Sequence, residues 1–532
     1  MILFLIIYII YMIYRSMEAM HMLQQNFYNE NNRYLKWIKR NFGKIFSVFD
    51  FIPILLFIIA AFIEGDSSLD ISLIASMFIY LFAIYDEYKR NKENQNKIPL
   101  RITGRIKRLF MTLIIIYGVM IVLTVKADTD INTIVMLIIL CLLLGFIYYV
   151  VYLANIINTP FNKIEYSYFK KKAKKKLDSY SKLEVIGITG SYGKTTSKNI
   201  LNEILGSKYI TRPTPKNYNT PYGLMMTINN YLDKFDEILI AEMGAYTNGD
   251  IKEICDLIHP KYGILTTIGE AHLETFKSVD NIVKTKFELI ESLPSDGLAI
   301  LNRDDPHQVN YNLQNNVKVK WIGIDNCDAD VYATNIKFGS FGMSFDCVYD
   351  KNKKVHLKTK LLGSYNIYNI LSSVALSLYM GISISEIESS VISLKATEHR
   401  LELKKMHDIY MLDDAYNSNP IGAKGALDVL ALMNGTKVVV TPGMVELGNI
   451  EKEKNYEFGK QISEVADYCI LIGEKRTQVI YNGLQDNGFD MDNVFILNKV
   501  VDAYNVIRAL KEENKDIYAL FENDLPDIYT KE

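Results

Sequence analysis

Apolar residues fall into two kinds of run along this chain, and the change comes near residue 160. Before it the runs are long: 45–63, 69–85, 109–126 and 131–156 approach or reach the length of a bilayer-spanning helix, roughly 17–25 residues. A fifth run, Met1 to Tyr14, is shorter. It has neither a basic start nor a small-residue cleavage site before Arg15, so it reads as a retained segment and not a cleaved signal peptide. It spans if its apolar face continues through Met17, Met20 and Met22. None of the five runs carries an internal Lys or Arg, and Asp50 sits near the start of the second. Intramembrane charge marks transport paths, so these runs predict an anchor or a lipid-facing platform.

Beyond residue 183 the runs shorten and become β-branched. Leu183–Thr189 predicts a strand, Gly190–Thr196 (GSYGKTT) a loop, and the following residues to about Leu205 a helix. More strands are expected at Glu237–Ala241, Gly263–Thr267, Gly297–Leu301 and Val319–Ile324, with helical patterns between most of them. That alternation predicts a mostly parallel sheet covered on both faces. Residues 329–361 change to short alternating segments, an antiparallel patch. A second alternation runs through Ile409–Asp413, Lys437–Thr441, Tyr468–Ile472, Val494–Leu497 and Ile517–Phe521. The fold class is therefore an α-helical transmembrane region followed by α/β: a central domain with a phosphate-binding loop and a C-terminal Rossmann-like domain. The predicted divisions are 1–160 (four or five transmembrane helices), 161–182 (a basic juxtamembrane linker), 183–398 and 399–532.

Charge sharpens this division. The 532 residues carry a formal charge of −2, which separates into +10 over 1–182 and −12 over 183–532. An acidic soluble part lacks the clustered cations that phosphate neutralisation needs, which argues against nucleic acid as a partner. Within the first part, 15–44 holds six Lys/Arg, 86–108 eight and 157–182 eight, while 64–70 and 127–130 hold none. The positive-inside rule puts the three basic segments, and everything after 157, in the cytoplasm. Lys170–Lys176 fits anionic headgroups as well as a solvated helix face. Five scattered cysteines without a CxxC pair exclude a complete disulfide framework and a zinc site.

The strand–glycine loop–helix order is the context of a phosphate site. Glycines let the backbone approach phosphate oxygens, and the helix N-terminus offers free N–H groups and a positive dipole end. Gly190, Ser191, Tyr192, Gly193, Lys194, Thr195 and Thr196 would cradle the phosphates. Strict Walker spacing is not met, since Ile188 stands where the first glycine belongs. Polar groups collect at the following strand ends, where open α/β sheets bind ligands: Ala241–Gly244 (AEMG) and Glu270–Glu274 (EAHLE), with Lys284–Glu288 (KTKFE) on a helix behind them.

This ordered set resembles the Mur ligases, and among them the type that joins D-alanyl-D-alanine to UDP-N-acetylmuramoyl-tripeptide. The resemblance covers about 183–525 and includes Lys216–Asn219 (KNYN), Leu301–Asp305 (LNRDD), Gly363–Asn369 (GSYNIYN), His399-Arg400, Asp413–Pro420 (DDAYNSNP) and Met444–Gly448 (MVELG). It implies an ATP-dependent acid–amino-acid ligase that works through an acyl phosphate, with ATP and two Mg²⁺ ions. Lys194 and Thr195 would serve the phosphates and the first ion. Glu242 resembles the acidic metal ligand, His272 the ligand of the second ion, and Lys286 the lysine that the family carries as a carbamate. Asn217 would meet the γ-phosphate, Asn302 the adenine, Arg400 the phosphates and Asp414 the ribose. Asn417 and Asn419 would lie towards the incoming amine. The implied partners are a nucleotide- or lipid-linked cell-wall precursor and a D-amino-acid dipeptide or other amine, with membrane lipids around the anchor.

Departures from the family pattern are informative. The family's N-terminal UDP-binding domain has no counterpart, and apolar runs stand in its place. His399 replaces a glycine before Arg400, Tyr365 replaces a histidine before Asn366, and Pro442-Gly443-Met444 stands for Gly-Asp-Met. Where this type carries a basic stretch near its end, the chain has Phe521-Glu522-Asn523-Asp524. These differences leave open a glutamyl- or polyglutamate-adding ligase, and outside catalysis a nucleotide-binding membrane scaffold.

Overall fold

The computed structural model describes residues 1–63, 67–93, 99–270, 273–406, 409–416, 418–510 and 515–525. Its described residues form two compact units, Met1–Ser167 with Leu525, and Tyr168–Asp524.

Three helices of the first unit are long and apolar enough to cross a membrane: Ile2–Gln25, Ser68–Glu93 (its apolar stretch Ser68–Arg90) and Gly104–Val125. The fifth apolar run therefore does not stop at Tyr14 but continues as one helix to Gln25. Two other expected spans differ from the pattern reading. The 45–63 run forms only the 15-residue helix Val48–Phe62, with Pro53 in its second turn. The 131–156 run breaks at Phe146 into Asp130–Gly145 and Ile147–Ile157, bent by 83°. A break in an apolar helix frees carbonyls that then need partners from elsewhere. The hydroxyls of Tyr8 and Tyr117 donate to the carbonyls of Leu140 (2.6 Å) and Leu143 (3.0 Å), in the last turns before the bend.

The longer first helix also places a charge inside the unit, against the expectation of charge-free segments. Arg15 is 3% exposed. Its guanidinium donates to Asp50 (3.0 Å), Glu87 (3.0 Å) and the Ile45 carbonyl (2.7 Å), and Tyr11 donates to the other Asp50 oxygen at 2.7 Å. Three helices that share only apolar surface could slide against one another, and this cluster fixes their register.

The second unit holds two sheets. The strands of the first are β1 (Glu184–Thr189), β2 (Thr211–Pro213), β3 (Ile238–Glu242), β4 (Tyr262–Leu265), β5 (Leu298–Asn302), β6 (Lys318–Gly323), β7 (Val331–Gly339), β8 (Gly342–Tyr349) and β9 (Lys353–Thr359). Their order is β2-β3-β1-β4-β5-β6-β7-β8-β9, parallel as far as β7 and antiparallel from there. The inner strands are continuous apolar runs, as two covered faces require. On one face Ile186, Ile188, Ile240 and Ile264 pack with Ile200, Leu201 and Ile204 of the Lys194–Leu205 helix and with Ile370, Leu371 and Val374 of Tyr365–Tyr379.

The second sheet comprises β10 (Glu402–Met406), β11 (Ile409–Asp414), β12 (Thr436–Thr441), β13 (Tyr468–Ile472), β14 (Val494–Leu497) and β15 (Ile517–Glu522), in the order β10-β11-β15-β12-β13-β14. Only β10 runs antiparallel. In both sheets the parallel pairing brings strand C-termini to one edge: Thr189 beside Glu242 and Leu265, and Asp414 beside Glu522.

Arg15→Met should leave Asp50 and Glu87 buried without a cation. Breaking a buried ion pair from one side costs about 3–5 kcal/mol. Thermal unfolding in detergent should show a large loss of stability, and an unchanged midpoint would refute the structural role of the cluster.

Candidate functional site

β1 ends at Thr189 and the chain turns at once into the glycine loop. Gly190 adopts φ +147°, and a Cβ there would lie 1.9 Å from the Thr266 hydroxyl oxygen. Gly193 adopts φ +82°, and a Cβ would meet the Asn369 side-chain oxygen at 2.6 Å. Both positions need glycine, for space and for backbone conformation. The loop is tied to the next strand end: Ser191 N donates to the Thr267 carbonyl (2.9 Å), Ser191 Oγ to the Gly269 carbonyl (2.9 Å), and Thr266 Oγ1 to the Tyr192 carbonyl (2.5 Å). From behind, Asn369 accepts from Ser197 Oγ at 3.0 Å and donates to Asn366 at 2.9 Å. The first-turn amides of the Lys194–Leu205 helix are thus held open at the sheet edge, where a polyphosphate can take them.

Lys194 is folded back onto its own loop, donating to the carbonyls of Gly190 (2.8 Å) and Ser191 (3.1 Å). Burial pushes its amine down to about 8, Glu242 opposes that shift, and Arg400 adds to it. Thr195 follows on the first helical turn, half-buried, and Thr196 is buried. The Tyr192 hydroxyl is buried without a partner among the described residues.

Glu242 ends β3 and is 2% exposed. Lys198 Nζ donates to one carboxylate oxygen (2.9 Å) and Asn219 Nδ2 to the other (3.1 Å). Burial alone would raise this carboxyl, but Lys198, Lys194 and the Asn219 amide reverse the shift and hold it below the usual glutamate range. Lys286 lies on the Val279–Glu291 helix, 3% exposed, its ammonium 5.8 Å from the Phe276 ring centre. Burial and then the charge of Lys194 drive its amine well below the ordinary lysine value. His272 and Asn417 lie outside the described residues.

The remaining expected residues sit around this centre. Asn302 ends β5, buried, and its Oδ1 accepts from the Asp304 amide at 3.0 Å. Asn217 is exposed on the loop before Asn219, with the Tyr416 hydroxyl as its side-chain partner. The Arg400 guanidinium lies 4.2 Å from the Tyr416 ring centre, within electrostatic reach of Lys194 and of Asp414. Asp414 is buried at the end of β11, accepting from the Leu401 amide at 3.0 Å, and burial raises its carboxyl. Asn419 caps the Pro420–Ala431 helix, its Oδ1 accepting from the Gly422 amide at 2.8 Å. Asp413 pairs with His399 (2.8 Å) and Lys404 (2.7 Å).

Three contributors are given no role by the sequence reading, although Asn369 belongs to the Gly363–Asn369 segment. Lys198 and Asn369 are buried on helices where a Lys or Asn ordinarily faces solvent, and Thr266 reads as an ordinary strand end. The i, i+4 spacing of Lys194 and Lys198 on one helix face was the available signal for the first of them.

The donor set fits a magnesium nucleotide. One carboxylate and one threonine hydroxyl stand beside an open helix N-terminus, and Mg²⁺ is commonly held by one or two carboxylates together with substrate phosphates and water. No group of three His, Cys, Asp or Glu side chains able to hold a metal exists among the described residues.

Comparison with known proteins finds matches over the same residues. The model of the Mur ligase middle domain matches 188–377, and that of the Mur ligase glutamate ligase domain matches 399–520. The UDP-N-acetylmuramoyl-tripeptide–D-alanyl-D-alanine ligase of Bacillus subtilis is 32% identical over 333 residues, 62% of this chain and 70% of that protein. The ligase of the same name from Escherichia coli is 33% identical over 294 residues, 55% and 65% of the two chains. Among solved structures, MurF ligase from Thermotoga maritima in complex with ADP aligns with a TM-score of 0.61 at 25% identity, covering 69% of this chain and 82% of that one.

Nucleotide phosphates beside Lys194 should raise its amine again. Above about pH 8 binding then takes up a proton, and affinity falls as pH rises because the free protein has lost that charge. Calorimetry of ADP binding in two buffers of different ionisation enthalpy measures the uptake, and none in alkaline buffer would contradict the assignment of Lys194 to the phosphates.

Proposed function

This chain belongs to the Mur ligase family of ATP-dependent carbon–nitrogen ligases, and from that premise we propose that it is a membrane-anchored ligase. It joins D-alanyl-D-alanine or a related amine to a cell-wall precursor on the cytoplasmic side. The observation that carries the reading is the convergence of the glycine loop, Lys194, Glu242 and Lys286 at one sheet edge, with Arg400 in electrostatic reach from the second sheet.

Each group then has a task. The amides of Gly190–Thr196 and the Lys194 ammonium take the β- and γ-phosphates, and Asn217 meets the γ-phosphate from the opposite loop. Asn302 contacts the adenine and Asp414 the ribose. Thr195 and Glu242 would hold a first Mg²⁺, which would supply charge neutralisation for the phosphoryl group. His272 and Lys286 would serve a second. A buried amine held neutral is the form that adds CO₂ with loss of a proton, and the resulting carbamate would place an anion where the neutral Lys286 amine stood. An oxygen of the precursor's carboxylate attacks the γ-phosphorus and ADP leaves. The amine attacks the acyl carbon, a proton is lost from nitrogen, and phosphate departs with the carbon–oxygen bond. The protein's part is positioning and electrostatic stabilisation, while Arg400 adds positive charge on the leaving side.

Localisation rests on the three long apolar helices and on the basic segments that flank them. The exposed lysines among Lys170–Lys176 suit anionic headgroups. Because the match to the family begins beyond the helical unit, an acceptor carried on lipid is as compatible with this site as one carried on UDP. Glu522 favours a second reading of the amine: a buried carboxylate at the end of β15 gives no cation to an incoming carboxylate, so an amine other than a dipeptide acid belongs in the substrate panel.

The full chain in detergent, given ATP, Mg²⁺ and D-alanyl-D-alanine with either the UDP-linked or the lipid-linked tripeptide, should form a ligated product detectable by mass spectrometry. Lys194→Ala and Glu242→Gln should each lower the rate by at least about a hundredfold while the protein stays folded. Full activity in either variant would overturn the proposal.

A further inference from the structure

Lys198 stands one helical turn beyond Lys194 and is 2% exposed. It makes two bonds at once: to the Glu242 carboxylate at 2.9 Å and to the Lys216 carbonyl at 2.8 Å. Lys216 adopts φ +46°, a backbone conformation that this contact helps to hold. The same loop returns through Asn219 to the other Glu242 oxygen, and the Asn219 carbonyl accepts from the Gly244 amide at 2.7 Å. One ammonium therefore ties the phosphate-loop helix, the Lys216–Asn219 loop and the end of β3 together.

Charge at this point is already balanced. Glu242 has an ammonium in contact, and Lys194 adds a second positive charge within electrostatic reach. Arg400 lies within reach of Lys194. A divalent cation approaching without nucleotide meets a neutralised carboxylate and a surplus of positive charge from Lys194 and Arg400. The polyphosphate of a nucleotide reverses the balance. Glu242 still has lone pairs beyond those taken by Lys198 and Asn219, so a cation can join without displacing either partner.

We propose that Lys198 is a positioning residue that fixes the Glu242 carboxylate and makes divalent-cation binding there conditional on nucleotide. The inference rests on the reading of Glu242 as a metal ligand. It adds that the cation enters with the nucleotide and not before it, and that a lysine one helical turn beyond the phosphate loop enforces this order.

The test titrates the full-length detergent-solubilised protein with Mn²⁺, followed by the loss of the free-ion electron paramagnetic resonance signal, without nucleotide and with saturating ADP. The wild type should bind Mn²⁺ at Glu242 only with ADP. Lys198→Gln, which keeps a donor but loses the charge, should bind Mn²⁺ without nucleotide at least about tenfold more tightly than the wild type, because a unit charge a few ångströms away has gone. Lys198→Arg keeps the charge and should restore the nucleotide requirement, with a lower kcat and an unchanged Mg²⁺ half-saturation. A Lys that served folding alone would change neither the order of binding nor the half-saturation. Equal Mn²⁺ affinity of the wild type with and without ADP would overturn the proposal, as would a folded Lys198→Gln that matches the wild type in the absence of nucleotide. Absence of Mn²⁺ binding even with ADP would overturn the reading of Glu242 on which the proposal stands, and is distinguishable from the other two results.

Discussion

A carboxylate at the end of an inner parallel strand has little water to solvate it, and the ion pair between Glu242 and Lys198 answers that constraint at 2.9 Å. The pairing fixes more than one charge. β3 lies beside β1, so whatever holds Glu242 also sets the floor next to the glycine loop. Lys198 belongs to the helix whose open N-terminus forms the phosphate cradle. The loop, the helix and the metal-side carboxylate are consequently one mechanical piece, and a ligand that engages any of them is felt by the others. Positively charged groups outnumber Glu242 here, with Lys198 in contact and Lys194 within electrostatic reach, an arrangement suited to a polyanion.

Much of this architecture can be read from the residues. β1, the glycine loop and the following helix were legible because a β-branched run, two obligatory glycines and a helix start are local features. The inner strands β3 to β6 and β11 to β15 were legible for the same reason. β2 and β10 were not, being a three-residue strand and a polar edge strand whose pairing alone defines them. Lys198 was invisible for a general reason: pattern alone gives a mid-helix lysine to solvent, and only the tertiary structure turns it inward. Asn419 carries a local signal instead, since an Asn before Pro is a cap by local chemistry and the structure gives it that contact.

The helical unit follows the same logic in an apolar setting. Arg15 reads as the first charge of the basic 15–44 segment because the apolar run ends one residue before it, yet the helix continues and the guanidinium is buried against Asp50 and Glu87. The break at Phe146 has no proline to announce it, and the buried tyrosines that satisfy the neighbouring carbonyls lie far away in sequence. In both units the sequence shows where apolar mass will collect, and the structure shows how the few buried polar groups are paired. Those pairs decide which surfaces are fixed against each other and which groups stay free for chemistry.

The central claim is that a substrate carboxylate takes the γ-phosphoryl group of ATP before the amine attacks. The direct measurement uses a precursor whose reacting carboxylate is labelled with ¹⁸O, and follows the mass of the released inorganic phosphate during ligation. The account predicts that one labelled oxygen moves from each carboxylate into phosphate, with ADP unlabelled. Unlabelled phosphate, or label recovered in AMP, would contradict it.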